Sequence, residues 1–174
     1  MTEIGLMLGS FDPPHIGHAY AAIKALEQVD AVWFITAWQN PWKKKSSPYL
    51  FRHNMVELMV QDLGDKRIIS LDMEYMIQPK YTYQLIKYLN EYVMSDVQYT
   101  IIGGTDIMNE ISEWDESEYI LDTCKTFKVD RSKIDISSTE IREKLKNNET
   151  AMPFLTPSVN KFILKNNIYD AINT

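Results

Sequence analysis

The stretch from Ile4 to His18 constrains this chain more than any other. Ile4–Leu8 is an apolar run of core-strand length, Gly9-Ser10-Phe11-Asp12-Pro13-Pro14 reads as a turn, and a helical pattern extends from Ile16 to about Gln28. The prediction is a strand, a phosphate-sized loop and a helix. Similar units follow. A second buried strand is expected at Ala31–Ala37, then an irregular surface loop over Trp38–Tyr49 and a helix carrying Phe51, Met55, Leu58 and Met59. Arg67–Met73 reads as a third strand. Thr82–Met94 reads as a helix with Leu85, Leu89, Tyr92 and Val93 on one face. Val97–Ile102 is a fourth strand running into Gly103-Gly104-Thr105-Asp106. Ile107, Ile111 and Trp114 then suggest a short helix, and Lys125–Val129 a fifth strand.

Strands alternating with helices predict an α/β fold. The expectation is a Rossmann-like single domain over residues 1–174, with a mainly parallel sheet of about five strands flanked by helices and a helical C-terminal part from about residue 137. Ligands of such sheets gather outside the carboxyl ends of the strands, near the point where strand order reverses. The loops after the first and fourth strands are therefore the first places to look. At 174 residues and 45% hydrophobic content the chain can bury a sizeable core. Eighteen basic against 24 acidic residues give a formal charge of -6, which argues against a nucleic-acid partner and against an anionic membrane surface. A small anionic substrate stays open. The single cysteine, Cys124, excludes an internal disulfide, the opening Met-Thr-Glu-Ile is unlike a signal peptide, and no apolar run approaches the roughly 20 residues of a membrane span. A cytoplasmic protein is expected; the sequence leaves its oligomeric state open.

Two motifs carry chemistry. Gly9-Ser10-Phe11-Asp12-Pro13-Pro14-His15-Ile16-Gly17-His18 closes the first strand and opens a helix. Histidines three apart at a helix start face the same way, Gly17 lets a bulky ligand approach the backbone, and the free N–H groups of the helix end suit phosphate. Such a loop would hold a triphosphate, and a histidine there can stabilise charge on a reacting phosphoryl group. The second motif, Ile136-Ser137-Ser138-Thr139-Glu140-Ile141-Arg142, reads as a capped helix start with an arginine one turn inside. A helix dipole contributes only about 0.3–1 kcal/mol to an exposed anion, so the hydroxyls, the backbone donors and Arg142 must supply most of the grip. Lys43, beside Lys44 and Lys45, could swing in from its loop to neutralise further phosphate charge. A substrate phosphate with a second pKa near about 6 is already nucleophilic at neutral pH, so nucleotidyl transfer needs no protein nucleophile. Asp12 with the two histidines has the residue types of a metal site but lacks a fourth ligand, so no metal site is assigned. Each feature also has a plainer reading. His15, a serine or threonine of Ser137–Arg142, and Asp106 could be helix caps, His18 a satisfied buried histidine, Trp114 a core or interface residue, and the lysines a solvated loop.

Taken together these motifs resemble the nicotinate mononucleotide adenylyltransferase family of NAD biosynthesis, within the nucleotidyltransferase superfamily marked by His-x-Gly-His and, in this branch, Ile-Ser-Ser-Thr-x-Ile-Arg. The likeness extends to Pro41 and Lys43, Arg52 and Met55, Tyr81-Thr82 with Leu85, Gly104 with Asp106, Trp114, and Pro157, Val159, Ile163 and Tyr169. It implies an enzyme whose ATP site includes Gly9, Ser10, Phe11, His15, His18, Gly104, Asp106, Ile136, Ser137, Ser138, Thr139 and Arg142. His18 would be the main transition-state stabiliser, assisted by His15, Lys43 and Arg142. Ser138, Thr139 and Arg142 would bind the β- and γ-phosphates, Asp106 would touch a ribose, and Trp114 would stack on a pyridine ring with Thr82 and Lys43 nearby. Mg²⁺ would arrive with ATP, held largely by phosphate and water. The chain departs from the family at Leu8, where a glycine is usual, at Tyr83-Gln84, and in a shorter segment before Ile136.

Rival readings keep the chemistry and change the acceptor, to nicotinamide mononucleotide first and then to phosphopantetheine or a cytidylyltransferase substrate. Class I aminoacyl-tRNA synthetases also contain His-Ile-Gly-His, but this chain is shorter, more acidic and without Lys-Met-Ser-Lys-Ser. A nucleotide-sensing module without turnover is the remaining rival, against which both histidines and Arg142 count.

Overall fold

The computed structural model describes residues 1–39, 46–93, 96–130, 134 and 136–169. Five strands form one parallel sheet: β1 (Thr2–Gly9), β2 (Ala31–Thr36), β3 (Ile68–Leu71), β4 (Val97–Gly103) and β5 (Lys125–Lys128), in the order β3-β2-β1-β4-β5. The eight α-helices among the described residues are α1 (Ile16–Ala25), α2 (Tyr49–Leu63), α3 (Met73–Ile77), α4 (Thr82–Tyr88), α5 (Thr105–Glu110), α6 (Ser117–Thr123), α7 (Ser138–Lys146) and α8 (Pro157–Asn166).

The alternation of side chains along each strand feeds two cores. On one face Met7, Val32, Phe34 and Ile102 meet α1, α2, α7 and α8 through Ala22, Met55, Met59, Ile141 and Val159. On the other, Ile4, Leu6, Trp33, Ile35, Tyr99 and Ile101 meet Leu85, Ile86, Leu89 and Ile120. A strand buried on both faces reads as a continuous apolar run, which is why β1, β2 and β4 are visible in the sequence. Strand order reverses between β1 and β4, so their carboxyl ends open the crevice that such sheets offer to ligands.

Local chemistry fixes the ends of the helices. α2 stops at Gly64, which takes the left-handed conformation (φ 67°). α8 starts with Pro157 in its first turn, and Asp62 at the end of α2 accepts bonds from Ser158 N (2.9 Å) and Oγ (2.6 Å), tying α8 to α2. Several expectations are corrected here. β3 is shorter than Arg67–Met73, because Met73 already belongs to the short helix α3. α4 ends at Tyr88 and continues as a wider π-type turn over Leu89–Val93. That turn advances fewer degrees per residue, so Tyr92 swings out to 72% exposure while Leu85 and Leu89 stay buried. α6 is an element that periodicity did not announce.

Candidate active site

The loop after β1 is anchored by its aromatic residue. Phe11 takes a left-handed backbone (φ 49°), uncommon for a side-chain-bearing residue, and its buried ring packs edge-on against Phe34 and His18 at 5.4 and 5.1 Å. The two histidines then form a reciprocal cap. His15 Nδ1 accepts from Gly17 N (3.1 Å) and His18 Nδ1 accepts from His15 N (3.2 Å), with ring centroids 3.8 Å apart. A neutral ring held this way carries its proton on Nε2. The rings are not equivalent: His15 is 2% exposed and forms the cap, whereas His18 lines the open cleft. Gly17 has a different reason from the expected one. A Cβ there would lie 2.9 Å from the His15 ring, so the absent side chain makes room for the imidazole.

The cleft beside His18, about 190 Å³, is walled by Gly9, Ser10, Phe11, His18, Gly103, Gly104, Ser138 and Arg142, with Met7, Leu8, Asp12, Ala21, Ile102 and Ile107 completing it. Both suspected loops therefore meet, joined by the start of α7. A Cβ on Gly103 would lie 2.8 Å from Ile107 Cβ, so this glycine lets α5 close over the end of β4. In the second motif the two serines divide the work. Ser137 caps α7: its Oγ accepts from Glu140 N (3.2 Å) and donates to Glu140 Oε2 (2.7 Å). Ser138 Oγ donates to Pro13 O (2.8 Å), and Arg142 Nη1 donates to Asp12 O (2.6 Å) while Nη2 donates to Thr139 Oγ1 (3.1 Å). Arg142 thus ties the second motif to the first and still faces the cleft.

A second cavity, about 460 Å³, adjoins the first and shares Leu8, Gly9 and Ser10 with it. Thr82 and Trp114 lie on its wall with Glu74, Lys80, Tyr81 and Glu113. Leu8 stays in β1, paired with Ile35, so its departure from glycine leaves the strand regular. Of the expected site residues that the structure describes, His15, Ile136, Ser137 and Thr139 stand outside both linings. Lys43 falls outside the described residues, as does the side chain of Asp106. Asp12 is engaged as a tie: its carboxylate accepts from Ser47 N (2.9 Å) and from Tyr169 Oη (2.6 Å). Among the described residues no group of three His, Cys, Asp or Glu side chains is placed to hold a metal ion.

Two buried charged residues have roles that the sequence did not assign: Arg52 entered only through the family likeness, and Glu74 not at all. Arg52, 2% exposed, donates to four main-chain carbonyls: Ser10 and Ala37 through Nη1, Trp38 through Nη2 and Ser47 through Nε, at 2.8–3.2 Å. Burial lowers its pKa, opposed by the nearby Asp12. It occupies the buried stripe that Met55, Val56 and Met59 continue, and an arginine in an apolar stripe is the signal that could have revealed it. Glu74 is 8% exposed and accepts from Trp38 N (2.7 Å). Burial pushes its carboxyl up to about 7, against the Trp38 bond and Arg52, which favour the charge. The folded protein therefore holds a proton that the unfolded chain releases at lower pH. Stability from this residue falls as pH rises from the ordinary carboxylate range to about 7 and then stays level. Glu74→Gln should remove this slope and leave the variant more stable than the parent at pH 8, by up to about 3 kcal/mol, in urea unfolding compared at pH 5 and pH 8.

Residues 6–144 match the family model described as cytidylyltransferase-like. A protein of Flavobacterium psychrophilum named a probable nicotinate-nucleotide adenylyltransferase is 32% identical over 96% of this chain and 98% of its own length. The chain belongs to the nicotinate-nucleotide adenylyltransferase family. A Shouchella clausii protein of the same printed name is 31% identical, with 97% of both chains covered. The fold matches a Plasmodium falciparum nicotinic acid mononucleotide adenylyltransferase complexed with NaAD, with a TM-score of 0.79, 22% identity, and 97% and 98% of the two chains covered. Like the proteins it matches, the enzyme is a nucleotidyltransferase; its described residues form a five-stranded parallel sheet, and no helix among them is long and apolar enough to cross a membrane.

Proposed function

We propose that this adenylyltransferase joins the AMP part of ATP to nicotinate mononucleotide, giving deamido-NAD and pyrophosphate. The observation that carries the reading is the pair of adjoining cavities that meet at Leu8, Gly9 and Ser10, one lined by His18, Ser138 and Arg142 and the other by Thr82 and Trp114. ATP occupies the first and the mononucleotide the second, with the acceptor phosphate and the α-phosphorus brought together at the end of β1. A phosphate oxygen of the acceptor forms a bond to the α-phosphorus, the bond to the bridging oxygen breaks, and pyrophosphate leaves with that electron pair. Gly9, Ser10 and Phe11 shape the loop around the triphosphate and Gly104 walls its far side. His18 donates from Nε2 to the charge growing on the phosphoryl oxygens, Arg142 with Ser138 holds the departing phosphates, and His15 fixes the orientation of His18. Ile136, Ser137 and Thr139 support the start of α7, and Lys43 and Asp106 contribute a phosphate contact and a ribose contact. Trp114 stacks on the pyridine ring beside Thr82.

Mg²⁺ bound with ATP supplies further neutralisation of phosphate charge. The carboxylate of Asp12 is already held by Ser47 and Tyr169, so the fit favours an ion carried by phosphate oxygens and water. A cytoplasmic reaction is proposed as well, in keeping with a single buried thiol, Cys124, that burial pushes up to about 12.

One observation favours the amide acceptor as a second reading. The second cavity carries Glu110, Glu113 and Asp115 against Lys80, and an acidic wall repels a ring carboxylate more than a carboxamide. Pyrophosphate release from ATP and Mg²⁺, measured separately with nicotinate and nicotinamide mononucleotides, tests both. Faster release with nicotinate mononucleotide is the expected result. Preference for the amide would reassign the acceptor, and no release with either would reject the NAD reading.

A further inference from the structure

We infer that Tyr169 is a positioning residue for the phosphate loop: its hydroxyl holds the Asp12 carboxylate, so the docking of α8 and the binding of ATP are coupled. The inference rests on the reading of the first cavity as the ATP site. Tyr169 lies 157 residues after Asp12, yet both are buried, at 3% and 6% exposure, and the phenol donates to Asp12 Oδ1 at 2.6 Å. The other oxygen of that carboxylate accepts from Ser47 N, and the main-chain carbonyl of the same residue accepts from Arg142. One aspartate thus joins the turn after β1, the segment leading into α2, the second turn of α7 and the segment beyond α8. Asp12 and Arg142 both wall the ATP cleft, so movement at the carboxylate is felt by the guanidinium that faces the phosphates.

The anchor on the other side is firm. α8 ends at Asn167 in the left-handed conformation, and the Ile168 N–H returns to Ile163 O (3.3 Å), which turns Tyr169 inward. Ser158 bonds Asp62, and the rings of Phe162 and Phe51 pack edge-on at 6.2 Å, so α8 is held by α2 while Tyr169 reaches the loop. Burial and the neighbouring carboxylate raise the phenol well above its ordinary range, so it remains the donor at any working pH. A hydrogen bond to a buried charged group is among the stronger kinds, and its loss leaves the carboxylate short of a partner.

Calorimetric titration with ATP and Mg²⁺, without acceptor, tests this on the full chain, comparing the parent with Tyr169→Phe, Asp12→Ala and the double variant. The expected result is ATP binding about tenfold weaker in Tyr169→Phe, with the double variant no weaker than Asp12→Ala alone. Coupling is reciprocal, so in the parent protein bound ATP should slow hydrogen exchange of the amides from Ile163 to Tyr169. That measurement decides the matter if Tyr169→Phe does not fold. ATP affinity within about twofold of the parent in Tyr169→Phe, or exchange in this segment untouched by ATP, overturns the inference. Parent protein that fails to bind ATP would instead sink the functional reading itself.

Discussion

Replacing His18 by alanine is expected to lower kcat for pyrophosphate release by about 10²–10³-fold, the usual cost of removing one donor aimed at the transition state. The fold should survive, because His18 lies half-buried on the wall of the cleft. A smaller structural effect accompanies the loss: the His15 N–H is left without its ring acceptor, and a missing cap costs about 1 kcal/mol. His18→Asn separates the two. Its side-chain oxygen can reach the place of Nδ1 and keep the cap, but it has nothing at the place of Nε2. Both variants should therefore lose turnover alike, while only His18→Ala loses stability in urea unfolding. Turnover within tenfold of the parent in the asparagine variant, at unchanged stability, would take His18 out of the chemical step.

Arg52→Met should cost about 3–5 kcal/mol of unfolding free energy, a large share of the roughly 5–15 kcal/mol of an ordinary domain. The methionine fills the space, but the carbonyls of Ser10, Ala37, Trp38 and Ser47 lose their shared donor and Asp12 loses a nearby positive charge. Arg52→Lys keeps the charge without the planar fork, so it should recover only part of the loss. Urea unfolding of the three proteins at pH 7 measures this. A methionine variant within about 1 kcal/mol of the parent would mean that the four bonds contribute little beyond packing.

How far these features could be read from the sequence depended on how local their causes are. β1, β2 and β4 are buried on both faces and so announce themselves as apolar runs, and alternation with helices then determined the sheet class. The five-residue α3 and the seven-residue α6 are too short for periodicity to register. The wide turn at Leu89–Val93 moved Tyr92 off a face where a regular helix would have kept it. At the site, the two motifs located the cleft, because each sits at a strand end or helix start where backbone donors converge. The division of labour inside each motif was less legible. His15 reads as a cap and is one, but in the second motif any of Ser137, Ser138 and Thr139 could have been it, and which side chain turns back onto its own helix is settled by backbone angles at one residue. Tyr169 to Asp12, and Arg52 to Ser10, span 157 and 42 residues, and no spacing rule reports such partners.

The wall between the two cavities has a consequence for how this enzyme can change. Among the described residues Leu8, Gly9 and Ser10 alone belong to both linings; the rest of the first cavity is drawn from Met7, the turn at Phe11 and Asp12, α1, the end of β4, α5 and α7, and much of the second from residues 79–82 and 110–115. On the proposed division of substrates between the cavities, acceptor preference can drift through substitutions around Thr82 and Trp114 while the nucleotide half stays intact. The three residues at the end of β1 have no such freedom, since any side chain altered there is presented to both substrates at once.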